Sequence, residues 1–245
     1  MDYDAAATNY TAGRLIDESG LGAWRDALAP FLSSIQQPIV DVGSGAGQFA
    51  PLLASWFAAD VVGVEPSAGM RAEAEERARH PRVRYLEGSA SAIPAPDSSM
   101  SAAWLSTVVH HIPDLRAAGD ELRRVVVPGG PLLIRSCFPG RWSRVTLFEF
   151  FPEAGRVVDT FPTVAALADA FAPTGFELVH TESVPQRSMP SLAGMRSRVV
   201  IRADTTLQAI SDADFAQGLE RLDRAIASGR GDEPVVDYLD LVVFR

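Results

Sequence analysis

The segment Ile39-Val40-Asp41-Val42-Gly43-Ser44-Gly45-Ala46-Gly47 is an apolar run closed by glycines at alternate positions, and about twenty residues on, Val61-Val62-Gly63-Val64-Glu65 repeats the run with a terminal carboxylate. Lacking a Cβ, glycine lets the backbone turn sharply and lets a ligand approach the amides that open the next helix. A carboxylate closing the second strand is placed to accept both hydroxyls of a ribose. Together these residues point to a cofactor containing a nucleoside. A dinucleotide loop reads G-x-G-x-x-G, but here the last glycine arrives one residue early, at Gly47, and Gln48 fills the place that a pyrophosphate-binding loop gives to glycine. The spacing therefore disfavours a nicotinamide-dependent oxidoreductase.

Periodicity places these residues on alternating elements. Strands are expected over 39–42, 61–65, 82–87, 101–106 and 132–136, with helices over about 47–57, 67–79 and 114–126 and a turn at Pro128-Gly129-Gly130. Such alternation predicts a parallel sheet covered by helices on both faces, with the ligand beyond the carboxyl ends of the strands. A helix over 164–171, a strand over 176–182, a helix over about 212–227 and a final strand over 235–244 complete the chain. Before the first strand, Leu15, Ile16, Leu21, Trp24, Leu28, Phe31 and Leu32 recur at helical spacing, so residues 1–37 are expected to form a helical cap. Residues 38–245 form the main domain, with segments at about 137–160 and 183–230 inserted over the ligand site. The first carries Phe138, Trp142, Phe148 and Phe151, which are suited to wall an apolar or aromatic acceptor. The second begins with an irregular stretch over 183–203 holding Arg187, Arg196, Arg198 and Arg202, either a solvated face or a clamp for an acid group.

Composition bounds the partners. A chain of 245 residues with 47% hydrophobic content can bury one sizeable core, and a net charge of −9 argues against a nucleic-acid substrate. A lone cysteine, Cys137, permits no internal disulfide and no thiolate metal cluster, and suits a reducing compartment. No stretch approaches the roughly 20 apolar residues needed to span a bilayer. A soluble cytoplasmic protein, monomer or homodimer, is expected, with no metal, nucleic acid or membrane as partner.

The glycine loop, the Gly-Val-Glu-Pro-Ser sequence at 63–67 and the Val127-Pro128-Gly129-Gly130 turn resemble class I S-adenosylmethionine-dependent methyltransferases, and in particular the ubiquinone- and menaquinone-biosynthesis type. The resemblance covers roughly 38–182. It implies a Rossmann-like, doubly wound, seven-stranded α/β sheet, mostly parallel, whose last strand enters antiparallel beside the fifth. It implies S-adenosylmethionine as cofactor, with Gly43, Ser44 and Gly45 at the aminoacyl end, Asp41 reaching the ligand's ammonium through backbone or water, and Glu65 on the ribose. Pro66 and Met70 would wall the adenine. Leu86-Glu87-Gly88-Ser89-Ala90-Ser91-Ala92-Ile93-Pro94 is similar to the family's adenine-binding element, but Ser89 stands where an acidic residue is expected, so recognition there falls to its hydroxyl and to backbone near Ala90. Ser106 closes the fourth strand beside the cofactor, and Tyr10 and Arg14 would close over it from the cap.

The following segment, Thr107-Val108-Val109-His110-His111-Ile112-Pro113, resembles a histidine-bearing stretch of the same type of enzyme. The end of the fourth strand would then face the methyl-donating sulfur, where a neutral imidazole, His111 in preference to His110, can take a proton from a hydroxyl or an acidic carbon. The implied activity is methyl transfer to an O, N or C nucleophile of a small, apolar or aromatic acceptor, plausibly in secondary metabolism. The alternative is a protein of this fold that holds the cofactor without transferring methyl, as a binding module or a cyclisation scaffold.

Overall fold

A computed structural model describes residues 16–245. The expected cofactor contacts of Tyr10 and Arg14 lie outside the described residues. A seven-stranded sheet runs in the order β3-β2-β1-β4-β5-β7-β6, from β1 (Ile39–Val42), β2 (Val61–Val64), β3 (Val83–Leu86), β4 (Ala102–Ser106), β5 (Leu132–Ser136), β6 (Leu178–Met189) and β7 (Val235–Phe244). Strands β1 to β5 pair in parallel, and β7 enters antiparallel between β5 and β6. The central strands β1, β2 and β5 are buried at every position, which explains why they read as unbroken apolar runs rather than as an alternating pattern.

The helices are α1 (Gly22–Leu32), α2 (Ala50–Phe57), α3 (Ala68–Arg77), α4 (Leu115–Val125), α5 (Thr146–Phe150), α6 (Pro152–Val158), α7 (Val164–Phe171), α8 (Leu192–Val199), α9 (Thr205–Gln208) and α10 (Asp212–Ala225). Their starts are legible in side chains that accept the orphan amides of the first turn: Ser67 takes the N–H of Met70, Asp114 that of Ala117, and Ser211 that of Asp214.

Three differences from the sequence expectation concern the walls of the site. The described part of the expected cap is a layer of the sheet: Leu21, Trp24, Leu28 and Leu32 are fully buried in one cluster with Ile39, Trp104 and Leu133. The segment at 137–160 is helical, folding as α5 and α6. The stretch 183–203 is not irregular, because β6 continues through Met189 and α8 follows. With α9 and α10, these helices close a separate apolar cluster around Phe148, Phe150, Phe151, Met195, Leu207 and Leu222. That cluster sits on the β6–β7 ribbon where it runs past the end of β5, whose pairing with β7 stops at Ser136 and Asp240.

Candidate active site

At the carboxyl ends of β1 and β2 the backbone reverses through Gly43 (φ 68°), Gly45 (φ 54°) and Gly47 (φ 82°), in the left-handed region that side chains disfavour. The turn is held by the N–H groups of Gly43 and Ser44, both donating to the carbonyl of Val64 at 2.7 and 3.2 Å. A Cβ on Gly43 would come within 2.4 Å of Val108, so the loop needs glycine there for close packing. A Cβ on Gly45 would meet nothing within 4 Å, because it would project into a cavity of about 330 Å³.

Glu65 closes β2 and is 8% exposed. Its carboxylate accepts the Gly45 N–H through Oε2 and the Ser67 N–H through Oε1, each at 3.0 Å, and so ties the first glycine-rich loop to the start of α3. Behind the loop Asp41 is buried, and its pKa is pushed up to about 8, chiefly by desolvation and secondly by the nearby Glu65 charge. Its Oδ2 and the Ser44 hydroxyl are buried with no hydrogen-bond partner among the described residues. Unsatisfied buried acceptors and a glycine opening onto a cavity fit a ligand that brings a cation and hydroxyls.

A second cavity of about 210 Å³ lies beyond the ends of β4 and β5, under the ribbon and the added helices. Its walls are apolar on the helical side, from Leu147, Phe148, Val158, Phe161, Met195 and Leu207, and polar toward the sheet, from Arg135, Ser136, Gln186, Ser188 and Asp237. Thr107 lines both cavities. It holds a left-handed φ of 51°, uncommon for a β-branched residue, and donates its N–H to the Arg135 carbonyl at 2.7 Å. The adjacent histidines are divided between the two spaces. His110 lines the second cavity, stacked on Phe161 at 4.0 Å between ring centroids with an interplanar angle of 7°, while His111 lines the first.

Residues 40–134, which carry the glycine loop, Glu65 and both histidines, match the family model described as a methyltransferase domain. This match to a methyltransferase domain spans less than half of the chain. The chain is 29% identical over 177 residues to a demethylmenaquinone methyltransferase of Thermus thermophilus, covering 63% of this chain and 80% of that protein. It is 35% identical over 133 residues to a ubiquinone/menaquinone biosynthesis C-methyltransferase of Rubrivivax gelatinosus, covering 51% of each. It spans about half the length, or less, of several curated relatives that it matches. Among solved structures, a protein assigned as a methyltransferase of an antibiotic biosynthesis pathway in Anabaena variabilis superposes with a TM-score of 0.69, at 20% identity over 89% of this chain and 95% of that one. The [4+2]-cyclase SpnF superposes with a TM-score of 0.63, at 19% identity over 99% and 93% of the two chains. At these identities the structures establish the fold.

The first cavity brings together Gly43, Gly45, Glu65, Pro66, Met70, Ser89, Ala90 and Ser106. Asp41 and Ser44 stand just behind it. Sequence reasoning passed over Thr107, Val108, Ile112 and Asp114, which complete the wall. Their signal was the run leading into the α4 cap. Of the aromatic residues expected at the acceptor, Phe148 lines the second cavity. Phe138 and Phe151 are buried in core clusters away from both cavities, and Trp142 packs beside Phe148 and donates its indole N–H to Asp159. The reason is that α5 and α6 need their own core, which an aromatic composition cannot distinguish from a ligand wall. Of the arginines at 187–202, Arg198 alone lines a cavity. Arg187 reaches Ser19, Arg196 pairs with Asp223, and Arg202 pairs with Asp212 and with backbone carbonyls. Cys137 also lines the second cavity, but burial, followed by the charges of Asp240 and Asp237, pushes its thiol up to about 12, so it is no nucleophile near neutrality.

Proposed function

We propose that this protein transfers a methyl group from S-adenosylmethionine to a small-molecule acceptor with an apolar body and a polar reacting end. The observation that carries this reading is the pair of cavities meeting at Thr107, one ringed by the glycine loop and Glu65, the other apolar on one wall and polar on the other. When bound, the cofactor supplies an activated methyl on a sulfonium whose leaving thioether is neutral. The chain's task is then placement: Glu65 and the loop amides hold the nucleoside and aminoacyl ends, while the helices over the ribbon enclose the acceptor and exclude water. His110, facing the acceptor side, is the better placed of the two histidines to receive an acceptor proton, and Phe161 fixes its ring plane. The fold is shared with a cyclase, so the fold alone does not select the reaction. Support for methyl transfer comes from the relatives' named activities together with an acceptor space beside the cofactor space.

The net charge of −9 favours a small molecule over nucleic acid, and a single free cysteine fits a cytoplasmic setting. We infer a monomer or homodimer in which residues 16–37 pack as a layer on the sheet and the segments at 137–160 and 183–230 wall the acceptor side. Calorimetry with S-adenosylhomocysteine, followed by assay of its release from S-adenosylmethionine with phenolic, carbon-acid and amine acceptors, tests the reading. Binding with turnover supports it, and absence of binding overturns it.

A further inference from the structure

The polar wall of the second cavity has a direction, set by one amide. Gln186 Oε1 accepts the Trp24 indole N–H at 3.1 Å and an Arg135 Nη2 hydrogen at 2.5 Å, so the amide nitrogen faces the other way and donates to the Ser188 hydroxyl at 2.9 Å. Ser188 in turn donates its proton to Asp237 Oδ2 at 2.5 Å. The other carboxylate oxygen, Oδ1, accepts the N–H of Thr146, the first residue of α5, at 2.7 Å. Asp237 is 7% exposed, and it lines the second cavity together with Gln186 and Ser188. Its carboxylate is thus held by the ribbon on one side and by α5 on the other. Among the described residues these two donors supply about half of the roughly four acceptor positions that a carboxylate offers.

The other ionisable groups of this wall are directed elsewhere. Asp240, further along β7, pairs with Arg141 at 2.9 Å, whereas the partners of Asp237 are the neutral donors Thr146 and Ser188. Asp204 caps α9, accepting the N–H and hydroxyl of Thr206. Arg135 reaches Asp237 through Gln186 and Ser188, Arg198 enters the cavity from α8, His110 stacks on Phe161, and Cys137 is held as a neutral thiol.

Register fixes how far Asp237 stands from the first cavity. The Arg135 carbonyl accepts the N–H of Thr107, where the two cavities meet, and Arg135 pairs with Leu241 of β7, four residues after Asp237. At about 3.3 Å per residue, Asp237 lies roughly 13 Å along the strand from that meeting point. It is too distant to act on an atom receiving a methyl group there, and it is placed to hold the opposite end of the acceptor. A site built to take a hydrogen bond rejects analogues that cannot give one, because its buried oxygen is then left short of donors. An acceptor ending in a carboxylate would in addition bring like charge to the wall. Resting on the methyl-transfer reading, we propose that Asp237 is a specificity-determining residue. It receives a hydrogen-bond donor, a hydroxyl or an ammonium, that the acceptor carries at the end remote from the methylated atom.

The test uses ring compounds that already carry a methyl at the reacting end, so that only the far end varies. 4-Methoxyphenol, 4-methoxybenzylamine, 4-methylanisole and 4-methoxybenzoate are titrated by calorimetry into the protein saturated with S-adenosylhomocysteine. At least one of the two donors, the phenol or the benzylamine, is expected to bind about tenfold or more tighter than 4-methylanisole, as a hydrogen bond to a carboxylate allows. The tighter of the two distinguishes hydroxyl from ammonium, and 4-methoxybenzoate is expected to bind most weakly. Asp237→Asn keeps an oxygen for Thr146 and is expected to lose most of the preference while 4-methylanisole binds as before. A merely structural role would lower all the affinities together in that variant, which would overturn the proposal. So would 4-methylanisole binding as tightly as both donors, 4-methoxybenzoate binding tightest, an unchanged preference in Asp237→Asn, or binding of none of these compounds. The wild-type comparison decides even if Asp237→Asn does not fold. Failure to bind S-adenosylhomocysteine at all would instead sink the methyl-transfer reading, so the two failures are separable.

Discussion

At the scale of single residues, Gly45 and Asp41 make opposite demands on the same loop. Gly45 holds φ 54° with open space where a Cβ would point, so Gly45→Ala meets conformational strain but no protein atom. Left-handed backbone costs an ordinary residue about 1–2 kcal/mol, and for a chain of this size each kcal/mol lowers Tm by about 2–4 °C. The variant should therefore fold, with a modest drop in Tm, yet bind S-adenosylhomocysteine at least about tenfold more weakly, because a methyl group occupies the ligand's space. Near-wild-type affinity by calorimetry would show that the cofactor does not contact Gly45. Asp41 is raised from an unfolded value of 3.8 to about 8 in the folded protein, mainly by burial and then by Glu65. Between those values the folded state binds a proton that the unfolded state does not, so this group makes stability fall as pH rises from about 4 through 8 and level off above. Asp41→Asn, which is uncharged at every pH, should flatten that decline. Urea denaturation at pH 5 and pH 8 checks it, and an unchanged pH dependence in the variant would refute the assignment.

At the scale of elements, what the sequence made legible was whatever obeys a simple period. The β1 and β2 runs and the glycine loop were readable because burial on both faces and left-handed turns impose strict residue choices. The far half of β6 was missed for a physical reason. Its inward positions past Val184 include Gln186 and Ser188, and the facing inward position of β7 is Asp237, because that ribbon face lines the second cavity rather than a core. The outward positions Pro185 and Arg187 add no hydrophobic contrast, so function erased the alternation that marks a strand. The lining of the first cavity was legible on the same grounds, whereas that of the second was not, since α5 and α6 use aromatic residues to pack as well as to line. Packing between these elements yields a further prediction at Gly218 in α10, where a Cβ would fall 2.1 Å from two ring carbons of Phe151. Alanine gains about 1 kcal/mol over glycine in helix propensity, but overpacking a core typically costs about 1–3 kcal/mol, and a fully buried ring has little room to retreat. Gly218→Ala should therefore destabilise by about 1–2 kcal/mol. Adding Phe151→Leu should recover part of that loss relative to the sum of the single changes, a coupling that a urea-denaturation double-mutant cycle measures directly.

At the scale of the whole molecule, the described residues form two core clusters centred on the sheet and a third under α5, α6 and α8 to α10. The first cavity, proposed for the cofactor, is built by the sheet and its loops, and the second, proposed for the acceptor, largely by the third cluster and the ribbon beneath it. Ligand binding should therefore stabilise the two regions unequally. At about a hundred times its Kd, S-adenosylhomocysteine adds about 2.7 kcal/mol to the stability of the state that binds it, which corresponds to a rise in Tm of about 5–11 °C. Local openings that leave the bound ligand in place gain none of this, because they do not expose its site. Amides of β1, β2 and the segment 43–70 should slow their hydrogen exchange in saturating ligand, while those of α8 and α10 should exchange at nearly the unliganded rate until an acceptor analogue such as 4-methoxyphenol is added. If amides in all three clusters slow together with S-adenosylhomocysteine alone, the helices over the ribbon open only with the sheet. The walls of the acceptor cavity would then be as rigid as the cofactor site, and acceptor entry would need a path that leaves them closed.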